Sequence, residues 1–351
     1  MVRLMAPPLE GSVVAQLATD LPPAFISLLL PGIFLYLALY AFARRWKVAF
    51  WILSVPALGG LWMSTWVAPV QCAAFQAFVR FTVEIATMKL LDIHALNLTS
   101  SFPRYSSGSA PRPSIMALVY ITELRWESFT PNVIRQVPNS KYPFPKSARL
   151  NRLFYSELVQ LLIHVGIFIM LQSLPPWDWV KGQGILYTIW IVWTAIQLVL
   201  RYKTSPPLFG PIYLADSLAS FWTETWHNAF VSPCLTLAYT PTMFLLRQLG
   251  APKPVCRAAA VFSGFLLMAI FHVYALQPML TEEGEWRIGM FFILNGVFTV
   301  IEVAIWGKKR HWFRAVMAWA IELSLSSWAV AAVDVADGVL EADWKDLCTL
   351  R

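Results

Sequence analysis

The feature that most constrains this 351-residue chain is a succession of long apolar stretches separated by short polar turns. An α-helix rises about 1.5 Å per residue, so about 20 apolar residues cross the roughly 30 Å hydrocarbon layer of a membrane. The stretches of this kind are Ala24–Phe42, Val48–Val67, Phe154–Leu171, Ile185–Leu200, Ala229–Leu246, Ala258–Leu276, Gly289–Trp306 and Trp312–Val333. They predict an all-α integral membrane protein, a multi-pass bundle of about eight transmembrane helices in a single domain over residues 1–351.

Composition and charge support this prediction. Hydrophobic residues make up 58% of the chain and charged residues 13%, against about 45–50% and about 25% in soluble domains. The net charge of +7 lies in short clusters such as Arg44 to Lys47 and Lys308 to Arg314. Short basic loops stay cytoplasmic, whereas the acidic segment 281–285 and the acidic tail after residue 333 are predicted to be lumenal. This distribution of charge predicts that membrane lipid surrounds the protein and that nucleic acid is not a partner.

Several segments depart from the pattern of a span. Gln71–Leu96 is apolar but contains four charged residues, which favours an interfacial or re-entrant helix. Residues 97–151 form a polar, proline-containing loop with little predicted regular structure, and Asn97 begins a glycosylation sequon. The first apolar run is long enough to remain as a signal anchor. The four cysteines show no paired spacing, so neither a disulfide framework nor a zinc site is predicted.

His272 lies inside the apolar run Leu266–Leu276 and is the first candidate for chemistry. An ionisable side chain at membrane depth is a candidate functional residue by default. A dry environment favours the neutral imidazole, which can take a proton from a hydroxyl group. The alternative is a packing histidine that is bonded to a neighbouring helix.

A second candidate region lies just before the span predicted at Ala229–Leu246. Trp222, Trp226 and Phe230 recur every four residues, which predicts one aromatic stripe on a helix. His227 and Asn228 follow Trp226 and form a polar pair suited to binding a partly solvated group. The alternative is an aromatic anchor at the membrane interface.

Two polar sets lie inside predicted spans. Asn295, Thr299 and Glu302 share one helix face because they are spaced by four and three residues. The same spacing relates Glu157, Gln160 and His164. Such stripes commonly hold membrane helices together through hydrogen bonds, and this is the favoured interpretation for the second set. Glu302 lies deep in its span and needs a partner, so a role in a site is an equal alternative.

Motifs for other chemistries are missing from the sequence. There is no glycine-rich phosphate loop, no His-Glu-x-x-His helix and no Gly-x-Ser-x-Gly elbow. A serine nucleophile and metal catalysis are therefore unsupported, and no metal site is predicted.

The order of these elements resembles a known family. The element Phe221-Trp222-Thr223-Glu224-Thr225-Trp226-His227 is followed by the buried His272 of Met268-Ala269-Ile270-Phe271-His272, then by Phe291-Phe292 and Glu302. This arrangement, over Asp216–Trp306, resembles the wax-synthase-like branch of the membrane-bound O-acyltransferases. Its compact length is most similar to fungal members that acetylate natural products.

The resemblance implies a function and a site. His272 would be the catalytic histidine and His227 the second catalytic residue, near the acyl thioester. Trp222, Trp226, Asn228, Asn295 and Glu302 are the predicted substrate-binding residues of a catalytic core at residues 216–306. The implied reaction moves an acyl group, here acetyl, from acyl-CoA to a hydroxyl of a lipophilic terpenoid or meroterpenoid. Acetyl-CoA is the co-substrate, no cofactor is bound, and the endoplasmic reticulum is the implied location.

The sequence departs from the family at two places. Thr223 to Thr225 stand where a basic residue is common, and Met268-Ala269 replace Ser-Gly before the buried histidine. These departures put a local contact to a CoA phosphate and the shape of the pocket wall in doubt. The altered 221–227 element keeps a CoA-independent terpenoid cyclase or isomerase open as an alternative. Buried His and Glu residues are also typical of a proton-coupled transporter, but the sequence shows no repeated halves with Gly- or Pro-broken spans.

Overall fold

A computed structural model describes residues 13–106, 108–131, 154, 156–200, 207–307, 311–333, 337, 345 and 348. The predicted loops at Lys308–Arg310 and Lys141–Arg152, and most of the acidic tail, lie outside these residues. The described chain is almost entirely helical, as the apolar stretches predict.

Eleven helices and one short strand pair follow one another in the described residues. They are α1 (Val13–Ala43), α2 (Lys47–Val67), α3 (Ala73–Leu98), β1 (Arg104–Tyr105), α4 (Pro113–Thr122), β2 (Phe129–Thr130), α5 (Glu157–Gln172), α6 (Asp178–Leu200), α7 (218–225), α8 (231–248), α9 (Lys253–Leu276), α10 (Glu282–Trp306) and α11 (Trp312–Val330). Helix α7 continues from an α-helical turn, Leu218–Ser220, into a π-helix, Phe221–Thr225. Helix α8 contains a second π-helix, Cys234–Tyr239.

Five of these helices, α1, α2, α6, α9 and α10, are long and apolar enough to cross a membrane. Large apolar side chains cover their outer faces; on α2, for example, Val48 and Val55 are more than 70% exposed. Continuous surfaces of this kind are stable in lipid but not in water, so the chain is an integral membrane protein. The predicted count of about eight spans is not confirmed. Helices α5, α8 and α11, which were also predicted as spans, are shorter or less apolar.

Helix α3 occupies the segment Gln71–Leu96 that was predicted as an interfacial or re-entrant helix, and it is not among the five candidate spans. It runs antiparallel to α2: the Trp62 indole donates to the Thr87 hydroxyl at 3.1 Å, and His94 bonds the Ser54 hydroxyl at 2.9 Å. Helix α3 therefore packs along a candidate span, α2.

Three of the charged residues of α3, Arg80, Lys89 and Asp92, form hydrogen bonds within the bundle. The fourth, Glu84, is buried, and its Oε2 has no hydrogen-bond partner among the described residues.

The polar loop predicted at residues 97–151 contains more regular structure than expected. Its described part includes α4 and the antiparallel pair β1–β2, in which Arg104 opposes Thr130. Apolar residues of α4, including Met116 and Tyr120, join a buried aromatic cluster with Phe50 and Phe129. The prediction failed because the sequence of this segment shows no helical periodicity. Its structure depends on packing over the ends of α1 and α2.

A disulfide corrects the expectation that no cysteines pair. Cys72, which precedes α3, is bonded to Cys348 in the tail, across a separation of 276 residues. The Asp20 carboxylate fixes the same place by accepting bonds from the amides of Gln71 and Cys72. No sequence spacing can reveal so distant a pair. Disulfides form in oxidising compartments, so this end of the bundle agrees with the predicted lumenal side of the tail.

Candidate active site

Residues 207–230, here called the inner loop, join α6 to α8 and hold the predicted aromatic and histidine motif. They lie against the middle of four long helices through His164 of α5, Trp190 of α6, Asn295 of α10 and Trp319 of α11. Irregular backbone at membrane depth is tolerated only where protein satisfies its polar groups. The inner loop therefore needs partners from the surrounding helices.

Side chains of those helices supply these partners. The Ile212 amide donates to His164 Nε2 at 3.3 Å, and Trp190 Nε1 donates to the Gly210 carbonyl at 2.9 Å. Trp319 Nε1 donates to the Ala215 carbonyl at 3.1 Å. His164 thus has a structural role, but its bond joins α5 to the inner loop and not to a neighbouring span. The three bonds together fix the loop at the centre of the bundle.

Glu302 fixes the start of α7. Its carboxylate accepts from the amides of Leu218 at 2.9 Å and Ala219 at 3.1 Å. It also forms a buried ion pair with Arg314 at 3.0 Å, with each side chain 6% exposed. A carboxylate at a helix N-terminus satisfies amides that have no partner within the helix. Glu302 was predicted to bind substrate, but the contacts that it makes hold the inner loop in place.

The turn that carries His227 depends on a close contact between two parts of the inner loop. The Gly210 amide donates to the Thr225 carbonyl at 3.0 Å, and the Asn228 amide donates to the Leu208 carbonyl at 3.2 Å. A Cβ atom added to Gly210 would lie 2.6 Å from the Glu224 carbonyl oxygen. Only glycine allows this approach.

The predicted aromatic stripe is wrong. Helix α7 ends at Thr225, and Trp226 has an extended backbone with φ −76° and ψ 170°. The Trp226 ring consequently folds back onto Phe221, with ring centroids 6.0 Å apart and nearly parallel. Its amide donates to the Phe221 carbonyl in the π-helical pattern. The backbone pairing at Gly210 stops the helix, which no helical periodicity could anticipate.

His272 has a defined proton arrangement. Its Nδ1 lies 2.8 Å from the Met268 carbonyl oxygen, and because a carbonyl only accepts, Nδ1 carries the hydrogen. Nε2 therefore has a free lone pair, and it makes no hydrogen bond with any described residue. The imidazole stacks on Phe292 of α10, with ring centroids 4.2 Å apart, so its position is set by packing. This is the arrangement of an available proton acceptor.

His227 lies close to His272. Burial lowers the pKa of the His227 imidazole, and the nearby His272 lowers it further, so the ring is neutral at pH 7. Phe230 contacts His227, with ring centroids 5.6 Å apart, and Phe271, with ring centroids 5.0 Å apart; the Phe271 ring in turn lies 5.1 Å from that of His272. His227 Nδ1 is buried and has no hydrogen-bond partner among the described residues. The structure thus brings both predicted catalytic histidines into one aromatic enclosure.

The other predicted substrate-binding residues are engaged with protein groups. Trp222 packs against Phe292, and its indole donates to Asn295 Oδ1 at 3.3 Å. Trp226 is 8% exposed and belongs to the aromatic cluster around Trp190. The Asn228 side-chain oxygen accepts from Arg125 at 2.8 Å. These residues support the aromatic side chains that surround the two histidines.

Sequence reasoning missed the residues that hold α8 against α3. Asp92 is fully buried and accepts from the Trp126 indole at 2.9 Å, from Ser232 and from Thr236.

Glu322 of α11 was also missed: both its oxygens are buried without a hydrogen-bond partner among the described residues, and it faces Trp222. Glu322 had a detectable signal, because it is the one acidic residue in its apolar run. The described residues contain no cluster that could hold a metal ion.

Comparisons with known proteins find similarity in the same part of the chain. Residues 205–294 match the family described as "Membrane bound O-acyl transferase family". This segment contains both histidines and the inner loop from Pro207 onward.

Individual relatives align over comparable lengths. "Probable long-chain-alcohol O-fatty-acyltransferase 1" of Arabidopsis thaliana is 29% identical over 109 residues, covering 31% of each chain. "Acyl-CoA--sterol O-acyltransferase 1" of the same plant is 30% identical over 28% of each chain. The "Long-chain-alcohol O-fatty-acyltransferase" of Simmondsia chinensis is 31% identical over 30% of each chain. No solved structure matches.

The aligned part spans about a third of the length of the curated relatives that the chain matches. The family match at residues 205–294 contains both His227 and His272. Over residues 205–294 this chain is therefore similar to the membrane-bound O-acyltransferase family, and about a third of it is similar to wax-synthase-like relatives, the long-chain-alcohol O-fatty-acyltransferases.

Proposed function

We propose that this protein is an O-acyltransferase that moves an acyl group from acyl-CoA to a hydroxyl of a lipophilic acceptor. One observation carries the proposal: His272, with a free Nε2, and the neutral His227 lie among the same group of aromatic side chains, inside the segment that matches acyltransferases. An enclosure of this kind excludes water, which limits hydrolysis of a thioester donor.

The chemistry follows from the proton arrangement of His272. Nε2 accepts the proton of the acceptor hydroxyl as the oxygen bonds to the thioester carbonyl carbon. The imidazolium then gives that proton to the sulfur as the C–S bond breaks, which releases CoA as the thiol. The bond from Nδ1 to Met268 keeps Nε2 facing the reaction. General-base assistance of this type contributes about 10²–10⁴-fold.

His227 acts as the second polar group. As a neutral imidazole it donates one N–H, which can stabilise the oxyanion that develops on the thioester carbonyl. Its position depends on the Gly210 contact and on the bond from Arg125 to Asn228. His227 therefore supplies a fixed donor without carrying charge into the dry enclosure.

Donor and acceptor are proposed at two levels. The names of the relatives point to lipophilic alcohols, long-chain or sterol, as the general acceptor class. Within that class we propose acetyl-CoA as donor and a hydroxylated terpenoid or meroterpenoid of secondary metabolism as acceptor. This narrower proposal follows the resemblance of the 221–227 element and of His272 to natural-product acetyltransferases.

We also propose eight membrane crossings in the endoplasmic reticulum. Besides the five candidate spans, the crossings are α3, which lies beside α2, and α5 and α11, which pack against α6. Helix α8 and the inner loop then enter from the cytoplasmic side and return to it. This order places Cys72 and Cys348 together in the lumen.

The test is transfer of label by microsomes that express the chain. Radiolabelled acetyl-CoA and a long-chain acyl-CoA are each supplied with hydroxylated terpenoids, a fatty alcohol and a sterol. We expect a lipophilic labelled ester with wild type and none in empty-vector microsomes. Ester from acetyl-CoA and a terpenoid supports the narrower proposal, whereas ester only from the long-chain donor restricts the proposal to its general form.

A second arm separates the transferase from its alternatives. Conversion of a terpenoid without any CoA would identify the cyclase or isomerase instead. Uptake of an unchanged substrate into sealed vesicles would identify a transporter. Either result, in the absence of ester from every donor and acceptor, would overturn the proposal.

A further inference from the structure

A cavity of about 580 Å³ opens at the end of the bundle where α1 turns into α2. Its walls come from that turn, from the end of α3, from β1 and from α4, so it lies outside the segment that matches acyltransferases. Its volume is within the range of about 300–1,000 Å³ typical of small-molecule sites. We call it the pole cavity, after its place at the predicted cytoplasmic pole.

The rim of the pole cavity is positively charged. Arg45, Lys47 and Arg104 line it and are exposed, and no acidic residue is among its described lining. Within the described chain, none of the three side chains forms an ion pair or a hydrogen bond. Neighbouring Arg44, by contrast, donates to the Tyr40 hydroxyl and lies over the rings of Tyr40 and Trp46.

The floor of the pole cavity is aromatic. Phe50 and Phe129 are 1% exposed and Tyr120 is 8% exposed, and all three line the cavity. Two helices also begin at its edge, α2 at Lys47 and α4 at Pro113, and neither has a side-chain cap. Uncapped helix N-termini add positive potential to that of the cations. The cavity therefore combines a site for an anion with a site for a flat or apolar group.

We propose that the pole cavity binds an amphipathic phosphate ester, with its phosphate at the Arg45, Lys47 and Arg104 rim and its apolar or planar part against the aromatic floor. Two sources share this chemistry, the 3′-phosphoadenosine end of coenzyme A and an anionic phospholipid headgroup. The site itself does not depend on the proposed function. Only the coenzyme A source rests on that function and deepens it.

The cavity is connected to the inner loop through residues 125–129. Phe129 and Tyr120 pack on Trp126, whose indole donates to Asp92 and to Ser232 at the start of α8. Arg125, one residue earlier, donates to Asn228 beside His227. A ligand in the pole cavity thus lies against the same short segment that supports the histidine turn.

The experiment measures binding by the full chain purified in a neutral detergent. One arm uses radiolabelled coenzyme A and 3′-dephospho-coenzyme A, and the other uses fluorescent phosphatidic acid and phosphatidylcholine. The variant R45Q/K47Q/R104Q is compared with wild type. The matched control R247Q/K253Q/R257Q removes the same charge from exposed residues near the start of α9, at the same pole but outside the cavity.

We expect the rim variant to bind coenzyme A, phosphatidic acid or both at least about tenfold more weakly, since it loses three charge-assisted contacts. The control variant keeps wild-type binding. Raising the salt concentration should weaken binding to wild type but not to the rim variant. Loss confined to coenzyme A identifies the nucleotide source, and loss confined to phosphatidic acid identifies the lipid source.

Equal binding by wild type, rim variant and control, with both ligands, would overturn the proposal. The single variant Arg104→Gln guards against misfolding, because its exposed side chain has no partner in the described chain, and we expect an intermediate loss. Because the assay measures binding without turnover, failure of the site and failure of acyl transfer are distinguishable.

Discussion

Helices α5 and α9 each carry a histidine at membrane depth, and the two residues use their nitrogens differently. His164 donates from Nδ1 to the Gln160 carbonyl and accepts at Nε2 from the Ile212 amide. His272 makes the same Nδ1 bond, to Met268, but its Nε2 has no partner among the described residues. His164 is fully buried against Trp190, whereas His272 is partly exposed within the bundle.

The number of occupied ring nitrogens decides whether a histidine inside the bundle has a structural role or can take part in chemistry. With both nitrogens occupied, His164 holds the inner loop and has no lone pair to offer. With one nitrogen occupied, His272 is oriented and still able to accept a proton. Variants at individual positions distinguish the groups that support the inner loop from the groups that react.

The largest effect on stability is expected at Glu302. Glu302→Leu leaves Arg314 buried without its partner and removes the acceptor of two amides of α7. Breaking a buried ion pair in this way costs about 3–5 kcal/mol. Thermal unfolding in detergent should show a clearly lower midpoint. Glu302→Gln keeps an acceptor oxygen and should lose less; a Glu302→Leu protein as stable as wild type would contradict the supporting role.

Gly210→Ala should disturb the His227 turn. The added methyl group would lie 2.6 Å from the Glu224 carbonyl oxygen, so the two parts of the inner loop must separate. Overpacking costs about 1–3 kcal/mol, and we expect loss of acyl transfer along with the lower stability. Gly264→Ala is the matched control, because a Cβ there meets nothing within 4 Å. Equal activity of both variants would refute the close contact.

His164→Ala should reduce stability more than it reduces the chemical step. It leaves the Ile212 amide without an acceptor inside the bundle, which costs about 1–3 kcal/mol. The remaining folded protein should keep a kcat within a few-fold of wild type. A kcat as low as that expected for His272 variants, in protein of wild-type stability, would erase the distinction between the two histidines.

We expect no glycosylation at Asn97. It lines the pole cavity with Arg45 and Lys47, at the predicted cytoplasmic end of α3, where no glycosylation occurs. Endoglycosidase treatment of the expressed chain should leave its mobility unchanged. A sequon introduced into the turn between α9 and α10 is the positive control. A mobility shift that disappears in Asn97→Gln would reverse the proposed orientation.

The sequence predicts the helices well because lipid requires long apolar runs, and it predicts His272 because ionisable residues are rare in such runs. It does not predict the placement of α3. Its Asp92 is satisfied by Ser232 and Thr236, and these partners lie more than a hundred residues away along the chain. The same limit hides the disulfide between Cys72 and Cys348.

The role of Glu302 shows the limit at a single residue. Its partner Arg314 belongs in sequence to a basic cluster that topology rules assign to the cytoplasmic surface. In the fold, that arginine is buried and neutralises the carboxylate which caps α7. Local pattern identifies a buried charge, but only the packing of α10 and α11 around the inner loop shows what the charge does.

The measurement that tests the central claim most directly is the rate of acyl transfer by His272→Ala beside His164→Ala, each divided by the amount of folded protein. If the free Nε2 of His272 is the general base, His272→Ala should transfer acyl groups about 10²–10⁴-fold more slowly than wild type. Its unfolding midpoint should stay close to that of wild type. For His164→Ala, the same account predicts a rate within a few-fold of wild type and a lower unfolding midpoint. Substantial transfer by folded His272→Ala would contradict the assignment of His272 as the base.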